Sequence, residues 1–529
     1  MSVGIRNLAC ALIAPLLLAS PQPAFAQTAP TGQAVPPHGD TVIATRHQIK
    51  FGNGTLHYTA HAGLLPIYVN DTGERMASIF FIAYIADTKV PRDKRPITFL
   101  WNGGPGSNSA QVHVAGFGPR RVVTADTMPD YAAGGQTAMA DHEETLLGSS
   151  DLVFIDPVGT GFSRATSQTY RDILYTARGD AEAVAEAIRI FMNRYDRWQS
   201  PLYIGGESYG TIRAGLVADM LETRREHVSG VLMISGALDL GPPVPPNLAH
   251  ALTLVDLAAP AYYHRTMAAD LLALPQDDAL KQAEQWARTV YAPALDRIAS
   301  LSPDERAQIV AGIRRFLGVR PQLIDPKTLL VDPTAFSDNL LADQGLELGR
   351  YDSRMKLPRR APGATWMPWA DPSLLPMVDL LEGTSPLFNA YVRNDLGFRS
   401  DLFYRGPFGK SFHPEPIKAD PETGYGSDWM AMMFKWDAAG FAPREEQPLR
   451  RAMRANPRLR VYNMLGLYDG NCAGRAQEIA QIADDLRPRV SSACYVGGHM
   501  FYSDRKTRQQ VQRDFADFVA ASTTPDTDR

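Results

Sequence analysis

The sequence predicts an α/β fold, a mostly parallel central sheet with helices on both faces, interrupted by a large and mainly helical cap. Three observations predict it: short apolar runs alternating with a helical stripe, a change of pattern after Gly236, and strand-like runs that resume only at Leu459. The runs are Ala77 to Ala86, Ile97 to Trp101, Leu152 to Ile155, Leu202 to Ile204 and Val228 to Ile234. Each has the length of a buried strand, and several end in glycine-rich turns. Between them, from Thr176 to Trp198, the residues Val184, Ala187, Ile188, Phe191 and Tyr195 recur at helical spacing and form one stripe. Strands alternating with helices call for a parallel sheet covered on both sides.

After Gly236 the run Gly241-Pro242-Pro243-Val244-Pro245-Pro246 breaks the chain, and about two hundred mostly helical or irregular residues follow. One helix start is well marked there. Ser302-Pro303-Asp304-Glu305 combines an N-cap, a first-turn proline and a capping-box Glu. Its stripe of Ile309, Ile313, Phe316 and Leu317 stops at Gly318. Strands return at Leu459 to Leu465 and Ala493 to Val496. The expected organisation is a core over 42–240 and 455–521, a cap over 241–454, an unstructured lead-in over 27–41 and a frayed tail over 522–529.

The first 26 residues read as an export signal. Arg6 gives the positive start, Leu8 to Leu18 the short apolar stretch, and Ala24-Phe25-Ala26 the small-x-small site, with cleavage before Gln27. The apolar stretch falls short of the ~20 residues that cross a bilayer, so no stable membrane insertion is expected and the mature chain should lie in the periplasm or outside the cell. Across the 529 residues, 45% are hydrophobic and 21% charged, which is ordinary globular composition. Lys and Arg number 53 against 57 Asp and Glu, without a basic block, and a nucleic-acid partner is set aside. Loss of the leader removes Cys10 and leaves Cys472 and Cys494.

The strongest local signal for chemistry is Gly206-Glu207-Ser208-Tyr209-Gly210. It follows the strand Leu202 to Ile204 and precedes the helical stretch Thr211 to Arg224, the setting of a nucleophile elbow in an α/β-hydrolase fold. A serine hydroxyl needs a base to take its proton and a third group to orient that base. In this fold the chain order is serine, acid, histidine. Asp469 lies in the turn after one late strand, and Gly497-Gly498-His499 follows the next. Ser208, Asp469 and His499 are therefore the candidate triad. Trp101-Asn102-Gly103-Gly104-Pro105-Gly106-Ser107, after the strand ending at Leu100, has the glycines an oxyanion hole needs. Gly104 and the amide of Tyr209 are the candidate donors.

Four stretches together resemble the serine carboxypeptidase family, in that family's order: Trp101 to Ser107, Asp156-Pro-Val-Gly-Thr-Gly-Phe-Ser163, Gly206 to Gly210, and Gly498-His-Met500. The resemblance covers roughly residues 75 to 240 and 455 to 520. It implies release of C-terminal residues from peptides through an acyl-enzyme, with no metal and no cofactor. It also implies that Asn102 and Glu207 bind the substrate's terminal carboxylate. That pairing is sound for a protonated Glu207, since two ionised carboxylates repel, and it predicts work in acid.

The family's second Glu, just before a Leu-Gly-Pro, is replaced here by Gly116 in Gly116-Phe117-Gly118-Pro119. The carboxylate-binding network lacks that member, which raises an esterase or acyltransferase with the same triad as the alternative. A non-catalytic binding protein on this fold is a further rival. Of the family's two acids before the catalytic turn only Asp469 remains, in Gly466-Leu467-Tyr468-Asp469. Cys472 matches a cysteine near the substrate pocket of some relatives. A bond to Cys494 needs α-carbons within about 7 Å; the expectation is free thiols.

Other strings fall short. Gly409-Lys410-Ser411 lacks the first glycine of a P-loop, Arg164 replaces the third glycine of a dinucleotide fingerprint begun by Gly159 and Gly161, and His142-Glu143-Glu144 has no second zinc-binding histidine. The cluster Trp429, Met430, Met432, Met433, Phe434 and Trp436 reads as core packing. Side-chain preference and oligomeric state leave no mark in the sequence.

Overall fold

A computed structural model describes residues 42–123, 138–236, 240, 244–361, 363–364, 371–406 and 447–523. The export signal, the lead-in, the Gly409-Lys410-Ser411 string, the Trp429 to Trp436 cluster and residues 524–529 lie outside the described residues. Ten strands form one sheet. Nine of them make a continuous path, here numbered along the chain: β1 (Ile43–Phe51), β2 (Gly54–Tyr68), β3 (Arg75–Ala86), β4 (Ile97–Trp101), β5 (Asp151–Ile155), β6 (Leu202–Glu207), β7 (Gly230–Ile234), β8 (Arg460–Gly466) and β9 (Val490–Tyr495). The tenth, Arg164–Ala165, pairs with β3.

The spatial order is β1-β2-β3-β5-β4-β6-β7-β8-β9. The first three pairings are antiparallel and the other five parallel. In-register partners such as Phe99 with Ile204 and Ile204 with Val231 align the carboxyl ends of β4, β6 and β7. In an open parallel sheet that edge is where ligands bind. The order, with a serine turn after β6, is that of an α/β hydrolase.

Both faces are buried, which is why the parallel strands read as unbroken apolar runs. Phe81, Phe99, Ile155, Ile204 and Val231 point to one face, packed on the helices α1 (Ala177–Arg194) and α2 (Tyr209–Thr223). Phe191 of α1 meets the Phe81 and Phe99 rings edge-on at centroid distances of 5.5 and 5.3 Å. Burying a side chain of that size is worth about 1.5–3 kcal/mol. Thr176 caps α1 by accepting the Gly179 N–H, so the helix starts where its apolar stripe does. Tyr84, Leu100, Phe154, Leu232 and Met464 point to the other face.

The chain from 244 onward has a core of its own, built from Leu254 and Ala258 of α3 (Pro246–Tyr263) and Ile309, Ile313 and Phe316 of α4 (Pro303–Leu317). The capping box at Ser302 and Glu305 is formed, and Gly318 ends α4 at φ 68°. The chain then returns through α5 (Pro448–Ala455) to β8, and closes with α6 (Arg505–Thr523). That last helix extends two residues into the stretch expected to fray.

Strands β1 and β2 are absent from the strand-like runs picked out in the sequence. They form an antiparallel hairpin at the sheet edge, closed by Gly52 at φ 56° and Asn53. Among the described residues, no helix is long and apolar enough to cross a membrane.

Candidate active site

Three turns meet at the carboxyl edge of the sheet. The first carries Ser208, held at φ 57° and ψ −125° between β6 and α2. A non-glycine residue in that region is strained, and such strain gathers at functional turns. Its neighbours must be small. A Cβ on Gly206 would lie 2.0 Å from the Gly210 carbonyl oxygen, and one on Gly210 3.0 Å from the Trp101 ring. Trp101 Nε1 donates to the same carbonyl at 2.9 Å, tying β4 to the elbow.

The second turn carries Asp469 after β8, and the third His499 after β9. Gly466 and the Gly497-Gly498 pair let these turns touch: a Cβ on Gly466 would sit 2.0 Å from the Gly498 oxygen. The Tyr468 N–H donates to the Gly497 carbonyl at 2.9 Å. Asp469 Oδ2 lies 2.9 Å from His499 Nδ1. In the neutral imidazole, with that nitrogen donating to the acid, Nε2 is left as the acceptor. Burial pulls the imidazole down, but the charge and hydrogen bond of Asp469 and the charge of Glu207 hold it up at about 9.

The elbow and the histidine turn are joined through the end of β7. The Ser208 N–H donates to the Ile234 carbonyl at 2.9 Å, and Ser235 Oγ donates to the His499 carbonyl at 2.6 Å. Among the described residues neither Ser208 Oγ nor His499 Nε2 has a hydrogen-bond partner. Such contacts commonly tighten only when substrate is bound.

The segment from 244 onward helps to hold these turns. The His499 N–H donates to the Tyr351 carbonyl at 2.6 Å, and the Tyr351 ring meets the imidazole edge-on. Ser353 donates to the Tyr468 carbonyl through its N–H at 3.1 Å and its hydroxyl at 3.0 Å. Asp256 of α3 accepts the Ala473 N–H at 2.8 Å. Sequence reasoning missed all of these, since each contact spans more than a hundred residues.

Cys472 and Cys494 are bonded, with α-carbons 5.8 Å apart. This corrects the expectation of free thiols. Cys494 pairs in register with Leu465 near the end of β8, and the Asp469 turn folds back far enough to bring Cys472 into bonding range.

On the oxyanion side, Gly104 has φ 99° and, among the described residues, its N–H has no acceptor. Tyr209 is the first residue of α2, where the helix supplies no carbonyl for the backbone N–H and its dipole favours negative charge. Gly103 lies between them. A Cβ there would fall 2.4 Å from the Glu207 oxygen, 2.6 Å from the Tyr209 nitrogen and 2.7 Å from the Gly210 nitrogen. Arg213, fully buried, donates to the Asn102 carbonyl at 2.7 Å and to Asp180 at 2.7 Å. Asp156, in the second of the four motifs, accepts the Ser109 N–H at 2.8 Å and the Tyr404 hydroxyl at 3.2 Å. Its part is to anchor the glycine-rich segment.

Asn102 and Glu207 are in contact, Nδ2 donating to Oε1 at 3.0 Å. The Val112 N–H donates to Asn102 Oδ1 at 3.0 Å, which fixes the amide's orientation. Tyr502, three residues after His499, donates its hydroxyl to the second oxygen of Glu207. Burial pushes the Glu207 carboxyl up to about 7, against the opposing pull of His499 and these two donors. Among the described residues, no group of three or more His, Cys, Asp or Glu side chains is placed to hold a metal ion.

Comparison with known proteins agrees with these motifs. Residues 53–256 match the family model for serine carboxypeptidases. The pheromone-processing carboxypeptidase KEX1 of Komagataella phaffii is 29% identical over 153 residues, 28% of this chain and 22% of that protein. Serine carboxypeptidase-like 5 of Arabidopsis thaliana is 22% identical over 271 residues, 51% of this chain and 56% of that protein. The chain thus spans about a fifth to just over half the length of these curated relatives. Among solved structures, a proline iminopeptidase from Mycobacterium smegmatis is 12% identical, with a TM-score of 0.30, covering 90% of this chain and 99% of that one. The family match thus covers a segment, residues 53–256, that holds three of the four motifs named above.

Proposed function

We propose that the protein is a serine-type carboxypeptidase releasing C-terminal residues from peptides. The observation that carries the reading is the Asn102–Glu207 contact directly beside Ser208. Below about pH 7 the buried Glu207 carboxyl keeps its proton. It and the second amide hydrogen of Asn102 can then both donate to a terminal carboxylate. A substrate anchored there sets its last peptide carbonyl one residue away, at the Ser208 hydroxyl.

In this reading Ser208 Oγ attacks the carbonyl carbon while His499 Nε2 takes the hydroxyl proton. Asp469 holds the imidazole and balances its charge. The N–H groups of Gly104 and Tyr209 receive the oxyanion. His499 passes the proton to the leaving amine, and water then cleaves the acyl-enzyme by the same exchange. The leader over residues 1–26 would carry the chain out of the cytoplasm, and the Cys472–Cys494 bond suits an oxidising compartment. A mature N-terminus at Gln27 is the expected result of sequencing the exported protein.

The test compares a blocked dipeptide bearing a free C-terminus with its amide and its ester. Preference for the free acid by tenfold or more in kcat/KM is expected. Equal turnover of acid and amide, or turnover of the ester alone, overturns exopeptidase action in favour of an esterase. Fluorophosphonate labelling that persists in Ser208→Ala would displace Ser208 as the nucleophile, and a chain that takes no label would be the binding protein.

A further inference from the structure

We propose that Tyr502 is the third member of the carboxylate-recognising group: through its hydrogen bond to Glu207 it positions that side chain and sets the pH range of substrate binding. The inference rests on the reading of Glu207 as the carboxylate-binding acid. Neither the family match nor the motifs point to this tyrosine.

Gly116 stands where the resembled family has its second Glu. A Cβ built there would meet the Tyr502 ring at Cδ2 and Cε2, both 3.6 Å away. The tyrosine ring therefore occupies the space a longer side chain at 116 would enter. Its position is fixed from several sides. Tyr502 is fully buried, packs edge-on against Phe117 at 5.1 Å and Phe501 at 5.7 Å, and its carbonyl accepts from Arg508 at 3.1 Å. The loss of one carboxyl at 116 and the arrival of a phenol from the histidine turn are two sides of one substitution in space.

The chemistry differs from that of a second acid. Two neighbouring carboxyls share a proton, so one raises the other. A phenol keeps its own proton past neutrality. It donates to the charged carboxylate and so favours ionisation, opposing burial. The titratable groups facing Glu207 are Tyr502, His499 and Asp469. His499 also favours the ionised form, whereas Asp469 opposes it. Tyr502 thus brings the loss of the Glu207 proton down towards neutrality. With one donor on each oxygen, Asn102 on Oε1 and Tyr502 on Oε2, the carboxyl plane is fixed before substrate arrives.

The experiment is Tyr502→Phe, which removes one oxygen and keeps the ring packing. The quantity followed is the ratio of kcat/KM for a blocked dipeptide acid over its ester across pH 5 to 10, in which His499 and the acylation step largely cancel. A hydrogen bond to a charged group is worth about 1.5–3 kcal/mol, or about one to two pH units. The alkaline fall of the ratio is expected to move up by about one unit in Tyr502→Phe and to vanish in Glu207→Gln. The infrared carbonyl band of protonated Glu207, identified by its loss in Glu207→Gln, should titrate higher by the same amount, whatever the variant's turnover. A limb and a band that stay in place in Tyr502→Phe, with Glu207→Gln still abolishing both, reduce Tyr502 to packing and overturn the inference alone. A limb that survives Glu207→Gln removes the reading on which it rests.

Discussion

The bond between Cys472 and Cys494 offers a quantitative test, because it clips together the two turns that carry Asp469 and His499. Cys472 lies three residues after Asp469 and Cys494 five before His499, and the cysteines are 22 positions apart in sequence. Closing a loop of that size in the unfolded chain removes roughly 11 cal/mol/K, or about 3 kcal/mol at 25 °C. The perturbation is the double variant Cys472→Ser/Cys494→Ser. The unfolding entropy of a chain this long is about 1 kcal/mol/K at roughly 2.1 cal/mol/K per residue, so the melting temperature should fall by only about 3 °C. The sharper assay is local. Hydrogen exchange across residues 467–475 should accelerate far more than across β6, because the turn can open while the sheet stays intact. Activity in mild urea should be lost before global unfolding. Two thiols titrating in the folded, unreduced mature protein would refute the reasoning at its root, and so would unchanged exchange in the double variant.

In the wild-type enzyme, the acid-over-ester ratio of kcat/KM should fall as pH rises through about 7, where the buried Glu207 loses its proton; a ratio flat from pH 5 to 9 contradicts this. Gly103→Ala sets a methyl within 2.7 Å of three backbone atoms of the elbow and should lower kcat by about 10²-fold or more, as displacing an oxyanion donor does, with circular dichroism near wild type. Arg213→Met leaves Asp180 as an unpaired buried charge and should destabilise the protein by about 3–5 kcal/mol in urea unfolding. Ser302→Ala, at the capping box of α4, should lower stability by about 1 kcal/mol and leave kcat/KM alone.

The parts legible in the sequence were those written in local pattern. The parallel strands are buried on both faces, so Ile97 to Trp101 and Leu202 to Ile204 stand out as unbroken apolar runs. The hairpin of β1 and β2 does not, because one face of β1, with Ala44, Arg46, Gln48 and Lys50, is exposed, and Thr45 and His47 interrupt the apolar residues of the other. Its turn, Phe51-Gly52-Asn53-Gly54, was the available signal. The elbow was legible because strain at Ser208 demands small neighbours, and glycines are visible in a sequence. The pairing of Asp469 with His499 was reachable from chain order. Tyr502 was not. Its role follows from the space left at Gly116, nearly four hundred residues earlier, and only the fold brings the two together.

The segment from 244 onward reads in the sequence as a cap over the sheet, and its contacts also make it a support for two turns of the core. Asp469 and His499 sit on turns that leave two different strands, and a turn is held only by what its backbone groups bond to. Part of that hold is internal to the core: the glycine contact between 466 and 498, the disulfide, and Ser235 on the His499 carbonyl. The rest comes from the Tyr351–Ser353 strap, which takes the His499 N–H and caps the Tyr468 carbonyl. A positional error of about 1 Å at a catalytic group can reduce rate by about a hundredfold, so the strap and the strands must be specified together. The strap therefore binds the inserted segment to the core at the two turns that carry Asp469 and His499.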